Sequence, residues 1–346
     1  MVYQDIDIPL RMLIDHFRCG TGKLTVIQAA FIAIDFVGMT IALIPIVLRF
    51  WLRWREARPQ PKSRNISDGL IVLSWLSGLV LISINAWKNT LRERYIHYPP
   101  SELYYSVPRH LSAHLLYVSW ISLYFIYISL WAAKFALIAF FASVMKLMGT
   151  RLARAFVGFA AFFTTSTFIL HIALLTRWCT PVSSNWDING ELCSAVHDIR
   201  SVTISTVANI STDLVILSLP LFALTTLSRE RRALTTETRI TKSEWSGFAL
   251  VIAVAALSIV AALARWITLQ LVHNVPKANI THTIDVWALV EIVASLLAVC
   301  LPTLRSFVRR SRKESRRRME NGQSPNMLFL HWKGSETTVR AGSASV

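Results

Sequence analysis

The sequence predicts an all-α fold, a polytopic bundle of seven transmembrane helices with the N-terminus outside and the C-terminus in the cytoplasm. Of the 346 residues, 53% are hydrophobic and only 16% are charged, whereas soluble domains carry about 25% charged residues. The apolar residues fall into seven blocks, each near or above the roughly 20 residues that cross a bilayer. Most of the 36 Lys and Arg residues lie on one side of these blocks, and this asymmetry predicts the cytoplasmic side.

The first element is an N-terminal segment, residues 1–24, which contains several charged residues and no long apolar run. It therefore does not resemble a cleavable signal peptide, and the first span is expected to act as a signal anchor. Together the spans make a transmembrane domain over 25–307. They are predicted over 25–49, 68–88, 113–145, 153–176, 202–227, 246–272 and 284–307.

The segments on the predicted cytoplasmic side are basic. The first runs through Arg49 and Arg53, and Pro59 and Pro61 are expected to break any helix there. The tail, residues 308–346, begins with a run of Arg and Lys and then becomes polar, so we expect it to be disordered. Basic segments beside spans contact anionic lipid and fix topology. The net charge of +16 therefore predicts a lipid bilayer and no nucleic acid as the partner, with docking of a cytoplasmic protein as a second role.

Five charged residues fall inside the predicted spans: Asp35, Lys134, Asp213, Arg265 and Glu291. Each costs about 2.5–3.5 kcal/mol on insertion scales, so each must be paired, hydrated or functional. Arg265 and Glu291 both lie about 10 Å from the outer ends of adjacent spans, at 1.5 Å per residue. Their matched depth predicts an ion pair.

Two further residues complete the candidate network. Asn209 lies one helical turn from Asp213 on the same face, and Trp287 lies one turn before Glu291. With Arg265 they predict a polar pocket that opens outward between the fifth, sixth and seventh spans. A ligand or ion site is one interpretation of this pocket; a network that only orients helices and a route for proton transfer are the others.

Cys179 and Cys193 lie in one loop on the predicted outer side, where oxidation is permitted. A bridge between them is predicted, which would close a loop worth roughly 3 kcal/mol; two free thiols are the alternative. On the same side, Asn279 begins an Asn-Ile-Thr sequon and is the predicted glycosylation site.

Catalytic and metal-binding motifs are missing from the sequence. It contains no HExxH, no GxSxG and no Gly-rich phosphate loop. His110 and His114 are one helical turn apart, but a metal site needs a third ligand that the sequence does not identify. We therefore expect no enzyme activity, no metal and no cofactor.

Several motif residues follow one another along the chain in a recognisable order. They are Trp131, Lys134 and Phe135, then Cys179, Pro181, Trp186, Gly190 and Cys193, then Asn209, Asp213 and Pro220, then Gly247 and Arg265, and finally Trp287, Glu291, Cys300, Leu301 and Pro302. This pattern resembles the fungal rhodopsin-domain integral membrane proteins over 25–307. It departs from them at Ser67-Asp68, where the family tends to have two acidic residues, and at Ser143, where it tends to have an arginine.

The resemblance implies a seven-helix membrane protein, some of whose relatives look like cell-surface receptors that sense host surfaces or nutrients. Others are encoded beside toxin biosynthesis genes. Retinal is not implied, because a Schiff base needs an intramembrane amine and 284–307 contains no Lys.

From these observations we predict a receptor-like sensor of an unknown small molecule outside the cell. It would act through its basic cytoplasmic loops on a G protein or another cytoplasmic partner, in the plasma membrane rather than internal membranes. The alternative is a transporter or accessory membrane protein associated with secondary-metabolite biosynthesis.

Overall fold

The computed structural model describes residues 21–55, 62–95, 97–99, 102–104, 107–148, 150–189, 193, 195, 198–234, 242–273, 286–301 and 304. The predicted sequon at Asn279, almost all of the N-terminal segment and the whole tail 308–346 lie outside these residues. Within them the chain forms seven α-helices. They are α1 (Thr21–Arg55), α2 (Lys62–Arg94), α3 (Arg109–Met148), α4 (Arg151–Arg177), α5 (Ile199–Leu234), α6 (Lys242–His273) and α7 (Val286–Leu301).

Apart from these helices, the described chain has two short elements. A two-residue strand β1 (Leu103–Tyr104) pairs antiparallel with β2 (Val107–Pro108) just before α3. A single 3₁₀ turn (Val182–Asn185) follows α4. The all-helical prediction is thus confirmed, with only a minimal hairpin added.

Six of the seven helices, α1 to α6, are long and apolar enough to cross a membrane. The seventh, α7, is apolar but shorter over its described residues. The chain therefore has the architecture of a multi-pass membrane protein. The sides on which its termini lie stay a prediction.

The first helix is longer than the sequence predicts. Arg49 and Arg53 were expected in a cytoplasmic loop, yet both lie on α1, which continues to Arg55. The reason is electrostatic: Arg49 Nε donates to Asp68 Oδ1 of α2 at 3.0 Å, and Arg53 forms an ion pair with the same carboxylate. Because Asp68 balances them, the arginines stay on the helix, and Arg49 is only 1% exposed.

The centre of the bundle is α3. Of its most apolar stretch 56% is buried inside the protein, against 22% for α4. It packs against α2, α4 and α5. Trp131, which is fully buried, donates through Nε1 to the carbonyl of Thr164 on α4 at 3.0 Å. Side chains on α3 therefore meet neighbours on several helices at once.

The last helix closes the bundle against the first two. Leu289 and Val293 of α7 lie over Gly38 of α1, where the missing side chain leaves room for them. Near the end of α7, Arg49 Nη1 donates to the carbonyl of Val299 at 2.8 Å. This packing turns Glu291 away from lipid, and its side chain is completely buried.

Candidate functional site

Lys134, at the middle of α3, is surrounded by oxygen atoms of α5. Its Nζ lies 3.0 Å from the carbonyl of Asn209, 2.6 Å from Asn209 Oδ1, 2.7 Å from Thr212 Oγ1 and 2.8 Å from Asp213 Oδ1. The ring of Trp131 covers the ammonium, with its centroid 4.9 Å from Nζ. An ammonium has three N–H donors, so this site leaves Lys134 no donor for anything else.

Asn209 connects this lysine to α7. Its Oδ1 accepts from Lys134, while its Nδ2 donates to Oε1 of Glu291. The residue is 1% exposed, so both contacts form without competition from solvent. Asn209 and Asp213 share a face of α5 because they are one turn apart, and this spacing lets one helix contact both α3 and α7.

Glu291 then meets Arg265 of α6 in a looser contact. Its Oε2 lies 3.4 Å from Arg265 Nη2, and among the described residues it accepts no hydrogen bond. The two residues predicted to pair are therefore brought together, but at longer range than Lys134 and its partners.

These contacts form one chain, which we call the charge network: Asp213, Lys134, Asn209, Glu291 and Arg265. It crosses α5, α3, α7 and α6 and contains two carboxylates and two cations, so its formal charge is zero. A balanced set of charges is what allows ionised groups to stay buried at this depth.

A cavity of about 50 Å³, which we call the Arg265 cavity, lies at one end of the network. It lies between α3, α4, α5 and α6, in the half of the bundle that faces the loop of Cys179, hereafter the disulfide end. The pocket had been expected between the fifth, sixth and seventh helices; of the residues predicted for it, only Arg265 lines this one. The other polar residues of its wall are Tyr127, His171, Ser201, Ser205 and Thr206.

His171 and Tyr127 connect the helices that form the wall of this cavity. The two ring nitrogens of His171 lie 2.7 Å from the carbonyl of Thr167 and 3.0 Å from that of Ser205, which joins α4 to α5. Tyr127 packs edge-on against the same imidazole at 4.8 Å and shares a hydrogen bond of 3.2 Å with Ser205 Oγ. The hydroxyl oxygen of Thr206, by contrast, is buried and has no hydrogen-bond partner in the part of the chain described.

A second cavity, of about 40 Å³, lies at the other end of the network, and we call it the Asp213 cavity. Lys134, Asp213 and Ser258 line it, together with Pro220 and apolar residues of α3, α5, α6 and α7. Ser258 Oγ lies 3.4 Å from Asp213 Oδ2. The charge network therefore separates two cavities, with Arg265 facing one and Asp213 facing the other.

The disulfide loop contributes one described residue, Ala195, to the wall of the Arg265 cavity. Cys179 and Cys193 are bridged, with their Cα atoms 5.8 Å apart. Inside the loop, Asn185 Oδ1 accepts from the backbone N–H of Ala195 at 3.1 Å, and Ala195 itself lines the cavity. Trp186 packs on Trp120 of α3 at 5.4 Å. The bridge thus lies in the loop that contributes Ala195 to the cavity wall.

Two predicted network residues lie elsewhere. Asp35 is buried on α1, at 4% exposure, and Trp287 is half-buried on the first turn of α7. Neither is among the residues that line the two cavities. Within the described chain, no three His, Cys, Asp or Glu side chains are placed to hold a metal ion.

The sequence analysis missed a second polar cluster at the opposite end, the Arg49 cluster of Arg49, Arg53, Ser67 and Asp68. Arg49 Nη2 donates to Ser67 Oγ at 3.1 Å, and Ser67 Oγ in turn donates to the carbonyl of Ala136 on α3 at 2.9 Å. The sequence did contain a signal for this cluster. Asp68 lies near the start of the second span, and Arg49 and Arg53 lie near the end of the first. The cluster ties α1, α2, α3 and α7 together.

Comparison with known proteins gives one match. A family model described as the fungal rhodopsin domain matches residues 48–310, from the last turns of α1 to beyond the described end of α7. No curated protein and no solved structure matches the chain.

Proposed function

The chain belongs to the fungal rhodopsin domain family, and from that premise we propose that it is a receptor-like sensor of a small molecule that reaches the Arg265 cavity. The disulfide end would face outward, and the basic loops and tail would face a G protein or another cytoplasmic partner. The plasma membrane is the proposed location, since a sensor of external molecules must reach the cell surface.

One observation carries this proposal: Arg265 lines a cavity and also faces a buried carboxylate, Glu291, at 3.4 Å. A ligand that contacts the guanidinium competes with Glu291 for it. Binding in the cavity is thereby coupled to the balance of charge inside the bundle. A ligand shifts a conformational equilibrium only through such differential contacts.

The rest of the charge network supplies a route for the change. Glu291 is hydrogen-bonded to Asn209, which contacts Lys134, which pairs with Asp213 beside the second cavity. A shift of Glu291 therefore alters the contacts between α7, α5 and α3. Because Asp213 lies toward the opposite end of the bundle, the route runs toward the proposed cytoplasmic loops.

The test is proximity labelling from the tail in the native cell, comparing the natural chain with Glu291→Gln. We expect a heterotrimeric G-protein subunit among the labelled proteins and a changed yield of it in Glu291→Gln. Glu102→Gln, at an exposed position, is the matched control and should leave the labelling unchanged. Membrane abundance of each variant is measured in parallel.

Three results would contradict the proposal. Equal labelling in all three chains would mean that the charge network takes no part in signalling. Loss of folded Glu291→Gln protein from the membrane would mean that the charge network only orients the helices. Recovery of only biosynthetic or trafficking proteins would favour the second candidate function.

That second candidate is a transporter or accessory membrane protein associated with secondary-metabolite biosynthesis. The observation in its favour is the pair of cavities, one on each side of the same charge network. Alternating access needs a central barrier between two such spaces. Uptake or efflux of metabolites by vesicles that contain the protein distinguishes this function directly, because a sensor moves no substrate.

A further inference from the structure

The Arg265 cavity contains hydrogen-bond donors that the described structure leaves unused. A guanidinium carries five N–H donors, yet within the described residues Arg265 has one ionic contact, to Glu291 at 3.4 Å. The residue is 8% exposed, and it lines the cavity. Thr206 adds a buried hydroxyl whose oxygen has no hydrogen-bond partner among the described residues.

These spare groups favour an anionic ligand over a cationic one. Arginine only donates, and its planar fork matches the two oxygens of a carboxylate. A hydroxyl such as that of Thr206 can donate a further hydrogen bond to the same group. The volume of about 50 Å³ restricts the site to a small ligand.

The remaining wall is apolar, and it indicates the chemistry of that remainder. Leu123, Ile126, Leu174 and Leu269 line the cavity beside the polar residues. They offer an aliphatic surface that a hydrocarbon tail covers and that a free inorganic anion leaves exposed. Small-molecule sites of this type combine a mostly apolar wall with a few placed polar groups.

We propose that the Arg265 cavity binds the carboxylate of a small organic acid with an apolar tail. The carboxylate lies against Arg265 and the hydroxyl of Thr206, and the tail lies along Leu123 and Leu269. This inference rests on the proposed function, because it names the class of ligand for the same cavity. The ligand weakens the long contact between Arg265 and Glu291 by attracting the guanidinium toward the cavity.

The test measures binding of radiolabelled hexanoate to the full chain in lipid nanodiscs, with empty nanodiscs subtracted to remove partitioning into lipid. Unlabelled hexanoate should displace the label, whereas hexanamide and hexanol, which lack the charge, should not. Arg265→Gln should weaken binding by about tenfold to a hundredfold, the loss expected for one charge-assisted hydrogen bond. Arg177→Gln, an exposed arginine at the end of α4, should bind like the natural chain.

Thr206→Val provides a second variant that keeps the shape of the side chain, so the test survives if Arg265→Gln fails to fold. It should weaken hexanoate binding by about tenfold, the lower end of the loss expected for one hydrogen bond to a charged group. Displacement by hexanamide as effective as by hexanoate would overturn the proposal, and so would binding that neither variant changes.

The outcome is separable from that of the proposed function. If hexanoate does not bind but Glu291→Gln still changes labelling from the tail, the sensor stands and the ligand class is wrong. If hexanoate binds through Arg265 but Glu291→Gln changes no labelling, the carboxylate site stands and the sensor is wrong.

Discussion

The two ends of the charge network are built differently. At one end, Lys134 has oxygen atoms of Asn209, Thr212 and Asp213 within 3.0 Å of its ammonium. At the other end, Arg265 has one carboxylate oxygen at 3.4 Å and a cavity beside it. The difference teaches that two buried cations of one network can differ in how many of their N–H donors the described partners use. The contacts at the Lys134 end join α3 to α5, and the Arg265 end keeps the donors that the proposed ligand would use.

The largest expected effect is that of Lys134→Met on stability. The change leaves Asp213 without its cation and leaves Asn209 and Thr212 without their donor, and breaking a buried ion pair in this way costs about 3–5 kcal/mol. Thermal unfolding of the protein in nanodiscs measures the loss. Lys146→Met, at an exposed position on the same helix, is the control and should unfold with the natural chain. A stable Lys134→Met protein would mean that the Lys134 end is not the structural one.

The second effect is smaller and concerns Arg265→Gln. Glu291 keeps its hydrogen bond from Asn209 in this variant, so we expect a loss of about 2 kcal/mol, as for one contact to a charged group. Thermal unfolding in nanodiscs compares the loss of stability in Arg265→Gln with that in Lys134→Met. A greater loss at Arg265 than at Lys134 would reverse the comparison, because the loose end would then contribute more to the fold.

The positions of the helices along the chain could be predicted from the sequence, whereas the rotation of each helix about its own axis could not. Blocks of apolar residues determine where spans lie, since a bilayer leaves a buried backbone no other structure, and the family prediction is confirmed over 48–310. Helix ends were less predictable. Arg49 and Arg53 looked like loop residues because their neutralising acid, Asp68, lies on a different helix.

The candidate site was predictable only in its composition. Charge inside a span singles out Lys134, Arg265 and Glu291, and equal depth suggests which of them meet. The sequence does not determine which face of each helix is directed toward the bundle interior, because lipid and the interior are both apolar. The cavity of Arg265 therefore formed with α3 and α4, through Tyr127 and His171, where depth alone had indicated α7.

The smallest expected effects on stability concern two threonines on α5. Thr212 Oγ1 accepts from Lys134 at 2.7 Å, whereas Thr206 Oγ1 is buried without a partner in the described chain. Changing each to Val removes one hydroxyl and keeps the shape. Thr212→Val should lose about 1–2 kcal/mol of stability, because a buried charge loses a hydrogen bond.

Thr206→Val should leave the free energy of unfolding unchanged or raise it by up to about 1 kcal/mol, since an unpaired buried hydroxyl costs energy in the folded state. The same variant should bind hexanoate more weakly, whereas Thr212→Val should bind it normally. Equal losses of stability in both variants would show that the hydroxyl of Thr206 is satisfied in the membrane, and the distinction between a saturated end and an open end would fail at this residue. Opposite effects on stability and on binding follow only if Thr206 is kept for a ligand, because a hydroxyl that contributes only to the fold changes both in the same direction.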